Sequence, residues 1–102
     1  MDQTTKTNQD LLLVIDMQNV YTKGQEWACE GVEKASTSIL RLLNSHIPSQ
    51  VIFTQYLASE HPEGIWKEYN KVNASVNADP WLNKMMSEFL PYTKKYPVYT
   101  KS

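Results

Sequence analysis

Three residues that could take part in chemistry lie where predicted strands end. Asp16, Tyr56 and Lys101 each come at or just past the last residue of a segment rich in strand-forming residues. In sheets of parallel strands, ligands bind at the carboxyl ends of the strands. A carboxylate can accept a proton, and a lysine ammonium stabilises a neighbouring anion. The pattern therefore predicts a small-molecule site that contains an acid–base pair.

The first half of the chain has the pattern of a strand, a helix and a strand. The run Leu11–Ile15 is continuously apolar, which predicts a strand covered on both faces. Residues 31–46 place apolar side chains near one helical face, and Pro48 disfavours helix at the residue before it. Residues 51–56 are β-branched and aromatic. Short links between these elements predict a βαβ unit with parallel strands.

The second half is predicted to add helices and a third strand. Residues 65–72 could form a short helix, and Asp79 with Pro80 makes a good helix start. A single helix ending at Pro91 is predicted from a stripe at helical spacing, formed by Leu82, Met85, Met86, Phe89 and Leu90. Residues 97–100 form a short strand that delivers Lys101. The order of elements indicates an α/β layered sheet.

The composition excludes several classes of protein. The chain has 102 residues, of which 41% are hydrophobic and 21% charged, with a formal net charge of -1. We therefore expect a globular domain without the basic patch that binding to nucleic acid requires. No apolar run approaches the roughly 20 residues of a membrane span. One cysteine and no signal peptide predict a cytoplasmic location, and residues 1–9 are expected to form a polar leader.

Three segments carry a resemblance to a known family. They are VIDMQN at 14–19, VIFTQ at 51–55 and YPVYTKS at 96–102. In this order and spacing they resemble the N-terminal part of the isochorismatase-like cysteine hydrolases, which include the nicotinamidases. The resemblance implies that residues 10–102 are the N-terminal part of one such domain. Its fold would be a three-layer, Rossmann-like α/β structure with a parallel sheet, truncated after the third strand.

The resemblance implies a catalytic triad of aspartate, lysine and cysteine. Asp16 matches the aspartate and Lys101 the lysine. The family's cysteine follows the lysine strand, so its position is expected to be absent from this chain. In the family, the thiolate attacks an amide or related carbon and forms a covalent intermediate. Cys29 precedes the first helix, where we expect a small packing residue rather than a nucleophile.

The same alignment argues against a catalytic metal. Nicotinamidase-like members carry an Asp-x-His pair just after the second strand, and Tyr56 and Ala58 occupy those two positions here. His61 is nearby but out of register, and a surface role is favoured for it. We therefore expect no metal and no other cofactor, which favours a metal-free branch of the family over nicotinamidase activity.

Four residues are candidates for binding the substrate. Tyr21, Trp27 and Tyr56 belong to segments expected to approach the pocket, where aromatic rings could wall a small organic molecule. Core or lid packing explains these aromatic residues equally well. Gln18 could orient backbone near the site or simply form a local hydrogen bond.

The expected partners follow from these assignments. We expect a small-molecule substrate and no binding to nucleic acid or membrane. We also expect either self-association or a complementing C-terminal segment, because in the family the next strand pairs with the first strand. A long apolar edge strand is an aggregation hazard.

Two alternatives to an enzyme remain. A non-catalytic α/β fragment or assembly module fits the missing nucleophile, whereas a phospho-receiver domain lacks its acidic pair, since Met17 follows Asp16.

Overall fold

The structure is a computed structural model, and it describes residues 10–102. The predicted leader, residues 1–9, lies outside the described residues. In chain order the strands and α-helices are β1 (Leu11–Ile15), α1 (Val32–Ser45), β2 (Gln50–Tyr56), α2 (Trp66–Val72), α3 (Ala74–Asn77), α4 (Pro80–Asn83), α5 (Leu90–Thr93) and β3 (Val98–Lys101). Two short 3₁₀ turns, Asn19–Tyr21 and Ser87–Phe89, complete the described elements.

The strands form one parallel sheet in the order β1-β2-β3. Leu11 pairs with Gln50 and Ile15 with Thr54, while Tyr56 on the other side of β2 pairs with Lys101. This confirms the prediction of an α/β structure whose first two strands are parallel. Because all three strands run the same way, their carboxyl ends lie along one edge, where Asp16, Tyr56 and Lys101 were expected.

The core lies against one face of the sheet. Val14, Val51 and Phe53 alternate toward that face and pack in one cluster with Val32 and Leu43 of α1. The cluster also contains residues from two other segments, namely Met17, Met85, Met86 and Phe89. Phe53 and Phe89 are fully buried, with ring centroids 6.0 Å apart. Burial of this apolar area is the main force that holds α1 on the sheet.

The opposite face of β1 is open within residues 10–102. Leu11, Leu13 and Ile15 remain 49%, 47% and 53% exposed. The prediction that this strand is covered on both faces is therefore wrong for the described residues. The reason is that α1 and the helical segments that join its cluster all pack on the same side of the sheet.

The predicted helix over residues 80–90 is also wrong in its extent. Asp79 does cap a helix with Pro80 in its first turn, as predicted, but that helix ends at Asn83. Met85 then forms an antiparallel bridge with Gln18, and Pro91 lies in the first turn of α5 rather than ending a helix. The bridge takes Met85 out of the helical conformation that its spacing predicted. Pairing with a distant segment therefore outweighs the local helical pattern here.

Helix α1 agrees with its prediction and is bounded by two left-handed residues. Gly31 precedes it with φ of 85°, and His46 follows it with φ of 61°. Glycine adopts the left-handed region without a steric cost, whereas histidine must hold its Cβ there.

Within residues 10–102, no helix is both long enough and apolar enough to cross a bilayer.

Candidate active site

Asp16 is held in an unusual backbone conformation at the end of β1. Its φ of 54° lies in the left-handed region, which aspartate tolerates better than most residues. Its backbone N–H donates to the Thr54 carbonyl oxygen at 3.0 Å and also approaches Thr54 Oγ1 at 3.2 Å. Thr54 Oγ1 in turn donates to Asp16 Oδ1 at 2.8 Å. Thr54 therefore fixes both the backbone and the carboxylate of Asp16.

Lys101 completes an ion pair with this carboxylate. Its Nζ lies 3.2 Å from Asp16 Oδ2, although β2 separates the two strands that carry the residues. The Asp16 side chain is 21% exposed and the Lys101 side chain 51%. An ion pair this accessible contributes about 0–1 kcal/mol to stability. The pair lies at the carboxyl edge of the parallel sheet, which is where α/β sheets commonly bind ligands.

An aromatic cleft opens beside the ion pair. It has a volume of about 500 Å³ and is lined by Asp16, Tyr21, Trp27, Cys29, Tyr56, Trp66, Tyr69, Lys101 and Ser102. The Trp27 ring lies 6.1 Å from that of Tyr21 and 6.4 Å from those of Tyr56 and Tyr69, measured between centroids. Trp27 Nε1 donates to Asn73 Oδ1 at 3.2 Å, which anchors the indole.

Two tyrosines in the cleft have raised pKa values. Burial, followed by the negative charge of Asp16, raises the pKa of Tyr21 from 10.0 to about 12. Burial and Tyr69 also raise the pKa of Tyr56 above 10.0. A tyrosine at its ordinary pKa of 10.0 is already protonated at neutral pH, so these shifts only extend the protonated state to more alkaline conditions. Each can donate a hydrogen bond to a carbonyl or other acceptor on a bound molecule.

Gln18 is placed beneath the site rather than in it. The residue is only 1% exposed and does not line the cleft. Its Nε2 donates to the carbonyl oxygens of Tyr56 at 2.9 Å and Asn83 at 2.8 Å, and its Oε1 accepts from the Tyr56 N–H at 2.8 Å. Gln18 therefore joins the chain after β1 to the end of β2, and any effect on a ligand must pass through that backbone.

Two positioning residues were missed by the sequence reasoning. Thr54 pairs with Ile15 in the sheet, so its closeness to Asp16 follows once the strand register is known. Asn83 is 8% exposed, and its Nδ2 contacts the carbonyl oxygens of Val76, Asn77 and Asp79 at 2.8–3.2 Å. No sequence signal distinguished Asn83, because its partners are backbone carbonyl groups at the end of α3 and at the cap of α4.

The remaining candidates are distributed around the cleft. Cys29 is exposed and lies in the cleft wall with Asp16 and Tyr21, and its Sγ contacts the Trp27 carbonyl oxygen at 3.6 Å. His61 lines a separate, adjacent cavity. Within residues 10–102, no three histidine, cysteine, aspartate or glutamate side chains come together as a metal site would require.

The arrangement supplies an acid–base pair, neutral hydrogen-bond donors and an aromatic wall in one open cleft. Of the predicted site residues, Asp16, Tyr21, Trp27, Tyr56 and Lys101 are brought together there. Comparison with family models, curated proteins and solved structures finds no match to this chain. Functional inference therefore depends on the geometry and on the three sequence segments described above.

Proposed function

We propose that this chain supplies the aspartate and lysine of a metal-independent cysteine hydrolase in an isochorismatase-like, three-layer domain. The observation that carries the proposal is the contact of 3.2 Å between Lys101 Nζ and Asp16 Oδ2 at the carboxyl edge of a parallel sheet. The resemblance of the segments around both residues supports the same assignment. The substrate would be a small molecule with an amide or related bond.

In the proposed mechanism, Asp16 acts as the base. It accepts the proton of a cysteine thiol, and the Lys101 ammonium stabilises the thiolate that results. The thiolate attacks the carbonyl carbon, and the C–N bond breaks as the amine leaves with a proton. Water then hydrolyses the thioester to a carboxylic acid and regenerates the thiol. Following the resemblance, the proposal takes this cysteine from beyond the lysine strand rather than from Cys29.

The cleft favours a substrate with a flat, unsaturated group. Trp27 and the tyrosines around it offer ring faces against which such a group can stack. Tyr21 and Tyr56 would donate hydrogen bonds from their phenol groups to its polar substituents. The reacting carbonyl would then lie toward the Asp16–Lys101 pair.

Asp16→Asn in the enzyme that contains the cysteine tests the proposal. Asparagine tolerates the left-handed backbone and keeps an oxygen for Thr54, so we expect the fold to survive. Loss of the base should lower kcat by about 10³-fold or more. Ammonia release from a panel of small primary amides measures this, and unchanged thermal unfolding checks the fold.

Asp79→Asn is the matched control for that experiment. It removes one carboxylate while keeping a good helix cap, since asparagine caps as well as aspartate. Its activity should equal that of the parent enzyme. Full activity in Asp16→Asn would refute the assignment of the base. Cys29→Ser should also keep full activity, and loss of turnover there would move the nucleophile to Cys29.

An assembly module is the second candidate, and one observation favours it. The half-exposed side chains of Leu11, Leu13 and Ile15 leave an apolar strip on the sheet. A non-catalytic domain would use this strip for association and need no nucleophile. Hydrolysis of any panel amide by the purified 102-residue chain would exclude this reading.

A further inference from the structure

The two carboxylate oxygens of Asp16 have different partners. Oδ1 accepts a hydrogen bond of 2.8 Å from Thr54 Oγ1, whereas Oδ2 lies 3.2 Å from Lys101 Nζ. An ionised carboxylate can only accept hydrogen bonds, so the single hydroxyl proton of Thr54 points to Oδ1. The Asp16 N–H approaches the same hydroxyl oxygen at 3.2 Å. Thr54 therefore contacts both the backbone and the side chain of Asp16.

Thr54 is more rigid than Lys101, the other partner of the carboxylate. It belongs to the central strand β2, where it pairs with Ile15 on one side and with Tyr99 on the other. Its β-branched side chain has few rotamers. Lys101 lies at the end of β3 with a side chain that is 51% exposed, and a lysine stem is flexible. The orientation of the carboxylate is therefore fixed by Thr54 rather than by Lys101.

This difference in rigidity bears on the proposed hydrolase reaction, on which the inference rests. The Lys101 ammonium can move from Oδ2 toward a thiolate, because its stem is flexible. The Thr54 hydroxyl stays on Oδ1, because its strand is paired on both sides. Oδ2 is therefore the oxygen that loses its partner and becomes free to bind a proton as a thiolate forms.

We propose that Thr54 is a positioning residue, which holds Asp16 so that Oδ2 takes the thiol proton. In this step the S–H bond breaks, an O–H bond forms at Oδ2, and the electron pair stays on sulfur beside the Lys101 ammonium. Thr54 keeps its own proton and its hydrogen bond to Oδ1. It does not line the aromatic cleft, so it acts through Asp16 and not on the substrate.

Thr54→Val on the 102-residue chain tests the orientation of Asp16 without any catalysis. Valine keeps the β-branched shape but has no hydroxyl to donate. Three-bond NMR couplings from the backbone nitrogen and carbonyl carbon to Asp16 Cγ report the χ1 angle of Asp16. We expect the values of a single rotamer in the parent chain and averaged values in Thr54→Val. Thr54→Ser keeps the hydroxyl and should restore the parent couplings.

Thr100→Val is the matched control. It makes the same chemical change in the neighbouring strand β3, where Thr100 is exposed and pairs with Gln55. The Asp16 couplings and the activity of this variant should equal those of the parent. A change specific to Thr54→Val therefore reports the lost hydroxyl contact and not a general effect of valine in the sheet.

In the enzyme that contains the cysteine, the same variants test the effect on the reaction. A misplaced base should lower kcat of Thr54→Val by about 10- to 100-fold. KM should stay within about twofold of the parent value, because Thr54 does not line the cleft. Thr54→Ser should recover most of kcat. A role in packing alone would give the opposite order, because serine loses the methyl group that valine keeps.

The failure of this proposal differs from the failure of the proposed function. Parent couplings in Thr54→Val, or a lower kcat in Thr54→Ser than in Thr54→Val, would overturn the positioning role. Full activity in Thr54→Val beside an inactive Asp16→Asn would also overturn it, while Asp16 would remain the base. Full activity in both variants would overturn the hydrolase mechanism together with the role of Thr54.

Discussion

At the scale of single residues, the raised pKa of Tyr21 makes the stability of the folded chain depend on pH. Its phenol is partly buried near Asp16, and an ionised phenol there would be poorly solvated and repelled by the carboxylate. The folded chain therefore holds this proton more tightly than the unfolded chain does. The consequence is a dependence of stability on pH that appears only under alkaline conditions.

We predict that Tyr21→Phe removes a phenol that ionises only near pH 12 in the folded chain. Unfolded Tyr21 loses its proton near pH 10.0 and folded Tyr21 near 12, so its contribution to the free energy of unfolding is present below pH 10.0 and lost between these values. Absorbance at the tyrosinate band measures the titration. Tyr99→Phe is the control, because Tyr99 is 60% exposed. A loss of stability between pH 10.0 and 12 that is the same in Tyr21→Phe as in the parent chain would contradict the assignment.

The residues of the site were predictable to different degrees. Asp16 and Lys101 were identified because both lie at predicted strand ends, which meet at one edge of a parallel sheet, and because the segments around them carry the family resemblance. Thr54 was missed because its role depends on which residue of β2 pairs with Ile15. Asn83 was missed because it contacts backbone carbonyls at the end of α3 and at the cap of α4, and such contacts leave no periodic pattern.

At the scale of elements, helix α4 depends on its cap. Asp79 Oδ1 accepts hydrogen bonds from the N–H groups of Trp81 at 2.9 Å and Leu82 at 3.2 Å. A helix of four residues has no internal cooperativity to replace them. We predict that Asp79→Ala lowers the free energy of unfolding by about 1 kcal/mol, whereas Asp79→Asn changes it little. Urea denaturation compares the variants, and equal stabilities would show that the cap is dispensable.

At the carboxyl end of helix α1, a substitution is expected to stabilise the chain rather than destabilise it. His46 holds a left-handed conformation with φ of 61°, which a side chain with a Cβ adopts at a cost. Glycine is the preferred residue at this position of a helix end. We predict that His46→Gly raises the free energy of unfolding by about 0.5–1 kcal/mol. His46→Ala keeps the Cβ and should give no gain, and a gain in both variants would refute the explanation.

The elements themselves were predicted unevenly. The βαβ unit was predictable because apolar periodicity and short links determine it. The segment 80–90 was not, because the bridge between Met85 and Gln18 requires partners 67 positions apart in sequence. Helical spacing did identify Met85, Met86 and Phe89 as core, since the same side chains are buried in the irregular form.

At the scale of the whole molecule, one face of β1 is left uncovered within residues 10–102. Leu11, Leu13 and Ile15 form an apolar strip, and β1 has no pairing partner on its free side within residues 10–102. An unprotected edge of this kind invites association. Self-association or cover by a complementing segment stays a prediction for this strip.

We predict that the 102-residue chain self-associates and that Leu13→Lys weakens this association by about tenfold or more. A lysine in the strip adds charge that must be desolvated on contact. Sedimentation velocity over a range of concentrations measures the association. Ile65→Lys is the control, since Ile65 is 83% exposed and lies outside the sheet. A monodisperse monomer in the parent chain would exclude self-association.

The register of β3 has a consequence for folding as well as for chemistry. Successive side chains of a strand alternate between faces, so a slip of one residue would move Lys101 to the face opposite Asp16. The pairing of Tyr56 with Lys101 is therefore the arrangement that forms the ion pair. A chain misaligned by one position would keep its strands and lose its acid–base pair. The ion pair therefore reports the alignment of β3, because only molecules with the correct register carry the proposed site.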